Sequence, residues 1–370
     1  MQWKSGKRRS LGHLASGLQT FRHRHSLPAA ETPAMKPLIE ALPKTELHVH
    51  LEGTLEPEMS FALAQKNGIA LPFRTPEELL KAYDFHDLPS FLAIYYRAMN
   101  VLQDESDFFA LTWAYLHKAR SQNIVYAEMF FDPQAHTSRG VPFATVIGGI
   151  RRAQEKAAAE LGLESQLILC FLRDLPADSA MVTLREALPY KHWLVGVGLD
   201  SDEKGNPPSK FAEVFALARA EGLKLTMHCD VNQQNTLLHL GQVLNDIRVD
   251  RIDHGVNSLE DPALCQAIAD RALGLTVCPV SNRFVVQDLT ASHLRRMLQL
   301  GMRATVNSDD PAYFRAYVNE NYIALVDEGG MTRDEIVQLV RNGFLVSWID
   351  ETKKQRYLSQ VDAVLARHPS

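Results

Sequence analysis

Cysteine is scarce: four in 370 residues, at Cys170, Cys229, Cys265 and Cys278, with no CxxC pair among them. This excludes a zinc ribbon and a dithiol redox centre. It reads as reduced, inert thiols in a cytoplasmic protein. No apolar run is long enough to span a bilayer. Neither sign of charge is in excess. Thirty-nine Lys and Arg against 44 Asp and Glu give a net charge of −5, and beyond the first forty residues the basic groups are dispersed. Nucleic acid and membrane surfaces are therefore not expected as partners. No GxGxxG follows a first strand, which argues against an open dinucleotide-binding sheet. The PCxxC element of nucleic-acid base deaminases is also missing.

What is present is an ordinary globular composition, 46% hydrophobic and 22% charged. The length suits one large domain with a substantial core. Residues 1–34 stand apart: they are rich in Lys, Arg and His, and Glu31 is their only acid. They read as a disordered tail or an extension upstream of a start at Met35, with an organelle transit peptide as the other reading. The folded unit is expected over 35–370.

Eight short apolar runs recur along that unit, at 45–52, 123–131, 166–173, 193–200, 223–230, 250–256, 274–282 and 302–311. Each is rich in Val, Ile, Leu or Thr, as expected of parallel strands buried on both faces. Between them lie segments of helical period, clearest at 87–102, 106–122, 143–161 and 210–222, the last ending at Gly222. Eight strands alternating with helices predict a (β/α)₈ TIM barrel with extra helices, the tail from about 315 packing outside. An open doubly wound sheet is the alternative.

In such a barrel the active site is built at the C-terminal ends of the strands. There the first run carries His48 and His50, two apart and so on one face. The fifth ends in His228, the sixth in His254 and the eighth in Asp309-Asp310. Three His and one Asp (His48, His50, His228, Asp309) suit one Zn²⁺, with Fe²⁺ or Mn²⁺ as alternatives. The fourth run ends Gly198-Leu199-Asp200 and holds no Lys for a carbamate bridge, which favours one metal over two. His254 is placed beside the metal, orienting an activated water, and Asp309 both ligates and takes the water proton. Phe85, Phe91 and Tyr95 offer stacking surface for a flat substrate, or else are simply core. Gly53 is expected to permit a tight turn, and Glu52 to be a rim charge.

TELHVHLEGTLEP, RIDHGV, VCPVSN and VNSDDPAYF resemble the adenosine/adenine deaminase family of the amidohydrolase superfamily, over about 36–345. GLDSDEKGNPPSKF and FFDPQAHTSRG resemble its adenine deaminase branch. The resemblance implies His48, His50, His228 and Asp309 as zinc ligands, His254 as the residue acting on the water, and Asp310 as the partner of purine N7. It implies hydrolytic loss of ammonia from C6 of an aminopurine such as adenine, adenosine or an N6-substituted adenine. Two positions depart from the pattern. The glutamate of the family's HAGE is Val231 here, and Asp202 stands where adenine deaminases tend to have Ser. Two residues after His228, on the same strand face, Asp230 is the candidate replacement acid, with a purely orienting role as the alternative. Val231 also motivates two rival readings: hydrolysis of a different heterocyclic amine or cyclic amide, and a metal-binding barrel without catalysis. Cys229 is expected to point away and pack.

Overall fold

The computed structural model describes residues 32–229 and 235–369. Eight parallel strands form one sheet in chain order: β1 (Lys44–Glu46), β2 (Ile124–Phe131), β3 (Glu164–Leu172), β4 (Leu194–Asp200), β5 (Lys224–Cys229), β6 (Arg251–His254), β7 (Gly274–Val277) and β8 (Arg303–Val306). The ends meet just beyond β8 and β1. His50 N donates to Asp309 O and Asp309 N to His48 O, both at 3.0 Å, and Val49 pairs with Asp309. The sheet thus curls into the (β/α)₈ barrel predicted from the run-and-helix alternation.

The strands are buried on both faces: Val197, Leu199, Leu225, Met227, Ile252, Leu275, Val277, Ala304 and Val306 make one apolar face, and the alternating Thr226, Arg251, Asp253, Thr276 and Thr305 are buried on the other. One large core fills the space between barrel and outer helices. Helices follow the expected periods closely. The 143–161 segment is helix Phe143–Leu161, and the 106–122 segment is Glu105–Ser121, started by Asp104, which accepts from Ser106 N and Asp107 N. A 3-10 turn at Pro208–Phe211 leads into helix Ala212–Ala220, and Gly222 adopts φ 87° just after it. Three helices, Val318–Asp327, Arg333–Val346 and Glu351–Arg367, make up the C-terminal tail.

Some expectations need correction. The seventh strand stops at Val277, and Pro279–Val285 is helical, because proline at the first helical position favours a helix start. The first and eighth strands are shorter than their apolar runs, since both break into irregular backbone at the rim where His48 and Asp309 sit. A helix already begins at Thr32, inside the segment set aside as tail; residues 1–31 lie outside the described residues. No helix among the described residues is long and apolar enough to cross a membrane.

A second apolar cluster lies over the barrel mouth. It joins Leu79, Tyr83, Phe85, Phe91 and Tyr95 to Tyr313 and Phe314. Helix Leu88–Ala98 is its main element. A capping box starts that helix: Asp87 accepts from Ser90 N, and Asp87 N donates to Ser90 Oγ.

Candidate metal centre and active site

Strand geometry brings the histidines together. The barrel rim sets His48 and His50 beside Asp309 through the backbone bonds that close the sheet, and the β5–β6 register sets Cys229 opposite His254. His48 Nε2 lies 3.2 Å from Asp309 Oδ1, His50 Nε2 3.5 Å from the same oxygen, and His50 Nε2 3.1 Å from His228 Nε2. His254 Nε2 is 3.9 Å from Asp309 Oδ2. All five side chains are buried. The five residues expected at the site from the sequence are therefore gathered in one place.

The oxygens beside each ring favour the proton on Nδ1, through a hydrogen bond for His48 and a facing carboxylate for His50 and His228. His50 Nδ1 faces Asp200 Oδ2 at 3.4 Å, His228 Nδ1 faces Asp253 Oδ2 at 3.6 Å, and His48 Nδ1 lies 2.8 Å from Thr276 Oγ1. With the proton of each ring on Nδ1, all three Nε2 lone pairs turn inward. Two lone pairs 3.1 Å apart beside a carboxylate repel unless a cation sits among them. The donor set of imidazoles and one carboxylate fits a divalent transition ion of the zinc type. Ligand atoms of His48, His228, His254 and Asp309 also lie within 4.8 Å of one another. Burial lowers His50 and His254 to about 4 and, with the neighbouring rings, holds His228 well below its usual range. Neutral imidazoles are the form that binds metal. Burial alone would raise the Asp309 carboxyl, but the rings around it hold it well below the usual range, and Ser281 Oγ donates to its Oδ2 at 2.7 Å.

The cavity next to this centre is lined by Leu88, Phe91, Leu92, Tyr95 and Tyr96 on one side and by Asp132, Asp200, Glu203 and Asp310 on another. Asp310 Oδ1 is buried without a hydrogen-bond partner, and burial together with Asp309 pushes its carboxyl well up. Gly53 allows Asp310 to sit there. A Cβ on Gly53 would lie 2.1 Å from Asp310 Oδ1 and 2.8 Å from its Cα. The expected turn is present, a 3-10 turn over Glu52–Thr54, but close approach to Asp310, not the backbone dihedral, is what requires glycine there.

Other expectations are also corrected. Glu52 is buried rather than a rim charge. Its Oε1 accepts from Asp132 N at 3.1 Å and from His136 Nε2 at 2.8 Å, while His136 Nδ1 accepts from Arg139 at 2.7 Å. Asp202 does not line the cavity. It accepts from Lys204 N within its own loop, and its neighbours Ser201 and Glu203 face inward instead. Phe85 packs behind the wall against Phe91 and Tyr83, so that Phe91, Tyr95, Tyr96 and Phe314 form the aromatic surface. Cys229 is packed in the core as expected. Asp230 and Val231 lie outside the described residues.

Sequence reasoning missed Asp132, Asp200, Ser281, Asp253 and Thr276. Asp132 and Asp200 could have been found, because each is polar and stands at the C-terminal end of a barrel strand. Ser281 lies in VCPVSN, where its partner could not be read.

Comparison with known proteins agrees with this geometry. The adenosine deaminase family profile matches residues 43–364. An adenine deaminase of Acinetobacter baylyi is 48% identical over 329 residues, covering 88% of this chain and 98% of that protein. A crystal structure of an adenine deaminase from Arthrobacter aurescens superimposes with a TM-score of 0.85 at 41% identity, covering 88% of this chain and all of that one. A structure of an amidohydrolase from Burkholderia ambifaria with bound Zn gives 0.83 at 25% identity, covering 94% and 97%. The chain therefore belongs to the adenosine deaminase family and is a hydrolytic deaminase built on a (β/α)₈ barrel.

Proposed function

We propose that this enzyme hydrolyses the exocyclic amine of an aminopurine, with adenine or an N6-substituted adenine as the first candidates, using one zinc ion held by His48, His50, His228 and Asp309. The observation that carries this is the convergence of three Nε2 lone pairs and one carboxylate beside an aromatic cavity. Bound zinc would supply a water acidic enough to act as a nucleophile near neutral pH. The chain's residues do the rest. Asp309 accepts the water proton, helped by Ser281, which fixes its second oxygen. His254 stands next to Asp309 and orients the attacking water and the oxygen it becomes. Phe91, Tyr95 and Phe314 stack on the flat ring, and the unpartnered Asp310 oxygen meets a ring nitrogen.

Proton delivery to the ring falls to Asp230 in this reading, supported by its place two residues beyond His228 in the sequence. Asp230→Ala should then lose turnover by about 10²–10⁴-fold with zinc content unchanged; unchanged turnover removes the role. A cytoplasmic setting is also part of the proposal, supported by four free, buried thiols.

The decisive experiment measures ammonia or amine release from adenine, N6-alkyl adenines, adenosine, aminopyrimidines and pterins, with metal content determined on the same sample. Release from the adenine group supports the proposal. Release only from other rings makes Val231 the mark of a different substrate. Zinc without turnover on any ring identifies a binding barrel.

A further inference from the structure

The β5–β6 register sets His228 opposite Asp253, and the β6–β7 register sets Asp253 opposite Thr276. Three neighbouring strands thus place these residues at one level of the barrel. Asp253 and Thr276 are both fully buried. Thr276 Oγ1 donates to Asp253 Oδ1 at 2.9 Å and accepts from His48 Nδ1 at 2.8 Å. The direct distance from His48 Nδ1 to Asp253 Oδ1 is 4.0 Å, so the hydroxyl bridges them. The other carboxylate oxygen, Oδ2, faces His228 Nδ1 at 3.6 Å.

A carboxylate in a dry interior is costly unless its charge is met. The nearest cationic side chain meets it only at the limit of an ion pair: Arg251 Nε is 4.0 Å from Oδ1 without a hydrogen bond, and the other two guanidinium nitrogens go to Glu128 and to Leu47 O. Thr276 Oγ1 hydrogen-bonds one oxygen of Asp253 and links it to His48, while His228 Nδ1 faces the other oxygen at a distance too long for a hydrogen bond. Both rings turn their other nitrogen toward the metal centre.

We infer that Asp253 and Thr276 are a positioning pair that holds the proton on Nδ1 of His48 through the Thr276 hydroxyl and so aims its Nε2 lone pair at the zinc, while the Asp253 carboxylate facing Nδ1 of His228 favours the same tautomer there. The pair touches neither metal nor substrate. The inference rests on the zinc reading above and goes beyond it by assigning the residues that preset the site.

The test uses the full-length protein with zinc bound. Zinc affinity is measured by competition with a chromogenic chelator for the wild type, Asp253→Asn, Thr276→Val and Thr276→Ser. Thermal unfolding of the metal-free proteins serves as the control. Asp253→Asn keeps the shape but gives the site an NH₂ that cannot accept from a ring N–H. It should weaken zinc binding by about 10–100-fold. Thr276→Val removes only the His48 arm and should weaken it less, and Thr276→Ser, which keeps the hydroxyl, should restore it. The metal-free unfolding temperatures of the two Thr276 variants should match, which separates positioning from general packing. Should Asp253→Asn fail to fold, the Thr276 pair decides alone. Variants that bind zinc as the wild type does overturn this inference and leave the proposed function standing. A wild-type chain that binds no zinc overturns both.

Discussion

His254 and Asp309 hold their backbones at φ 60° and 65°, in the left-handed region that non-glycine residues avoid. Such residues cost of order 1 kcal/mol or more and persist where the surroundings over-determine them, typically at functional sites. For His254 this separates two effects of one substitution. His254→Ala and His254→Gly should both lower turnover by about 10²–10⁴-fold, since both lose the imidazole. The glycine variant should be the more stable of the two, by roughly 1 kcal/mol, because only glycine takes that φ without strain. Urea unfolding of the pair checks this; equal stabilities would mean the strain is not stored there. Gly53 gives the opposite case, where the smallest addition is harmful. Gly53→Ala must displace Asp310, since the new methyl would overlap its Oδ1. Turnover should fall steeply, with KM raised, while zinc content stays at the wild-type value. A crystal structure of the variant with Asp310 unmoved would refute the reasoning.

Among the elements, the shortest strand carries an unusual burden. In β1, Lys44 is fully buried and donates to Ile39 O and Leu42 O at 2.6 Å, satisfying carbonyls at the end of helix Thr32–Ala41. Burial lowers its ammonium to about 7, against a weaker opposing pull from Glu40. An unfolded lysine titrates near ~10.4. Between these values the unfolded chain binds a proton that the folded chain has released, so this residue makes stability rise with pH from about 7 to 10; the gain is lost as pH falls through 7. Lys44→Met removes the slope. The unfolding free energy of wild type minus that of the variant should increase across this window by a few kcal/mol and be flat below it, as read by denaturant titration at pH 6, 7, 8.5 and 10. The same strand shows how far periodicity reaches. The run 45–52 announces a buried strand, but nothing in it says that pairing turns irregular after Glu46, because that depends on where Asp309 arrives from the far end of the chain. Helix Phe143–Leu161, by contrast, was legible to the residue, since a 19-residue amphipathic period bounded by Pro142 and Gly162 leaves no competing pattern.

At the level of the whole molecule, the proposed metal centre ties together the ends of β1, β5, β6 and β8, from His48 near one end of the folded unit to Asp309 near the other. A ligand bound across such distant segments stabilises the folded chain by mass action. At a thousandfold excess over Kd, zinc should add about 4 kcal/mol and raise the unfolding temperature by several degrees. A chelator should remove this increment, and Asp309→Ala should abolish it. Melting curves with and without zinc test both, and coincident curves for the wild type would contradict the metal reading.

The sequence by itself determined the barrel, through eight doubly buried runs alternating with helices. It also determined which side chains stand at the rim, through ligand-type residues at the C-terminal ends of those runs. Such information is local: period and strand ends are properties of neighbouring residues. Only the tertiary structure decided that Phe85 backs the wall while Phe91 and Tyr95 face the cavity, that Asp202 turns away, that Glu52 is buried against His136, and that Asp253 and Thr276 sit behind His48 and His228. Each of those outcomes is a matter of register and direction between segments remote in sequence, and a strand's period of two fixes its faces without saying which partner each face will meet.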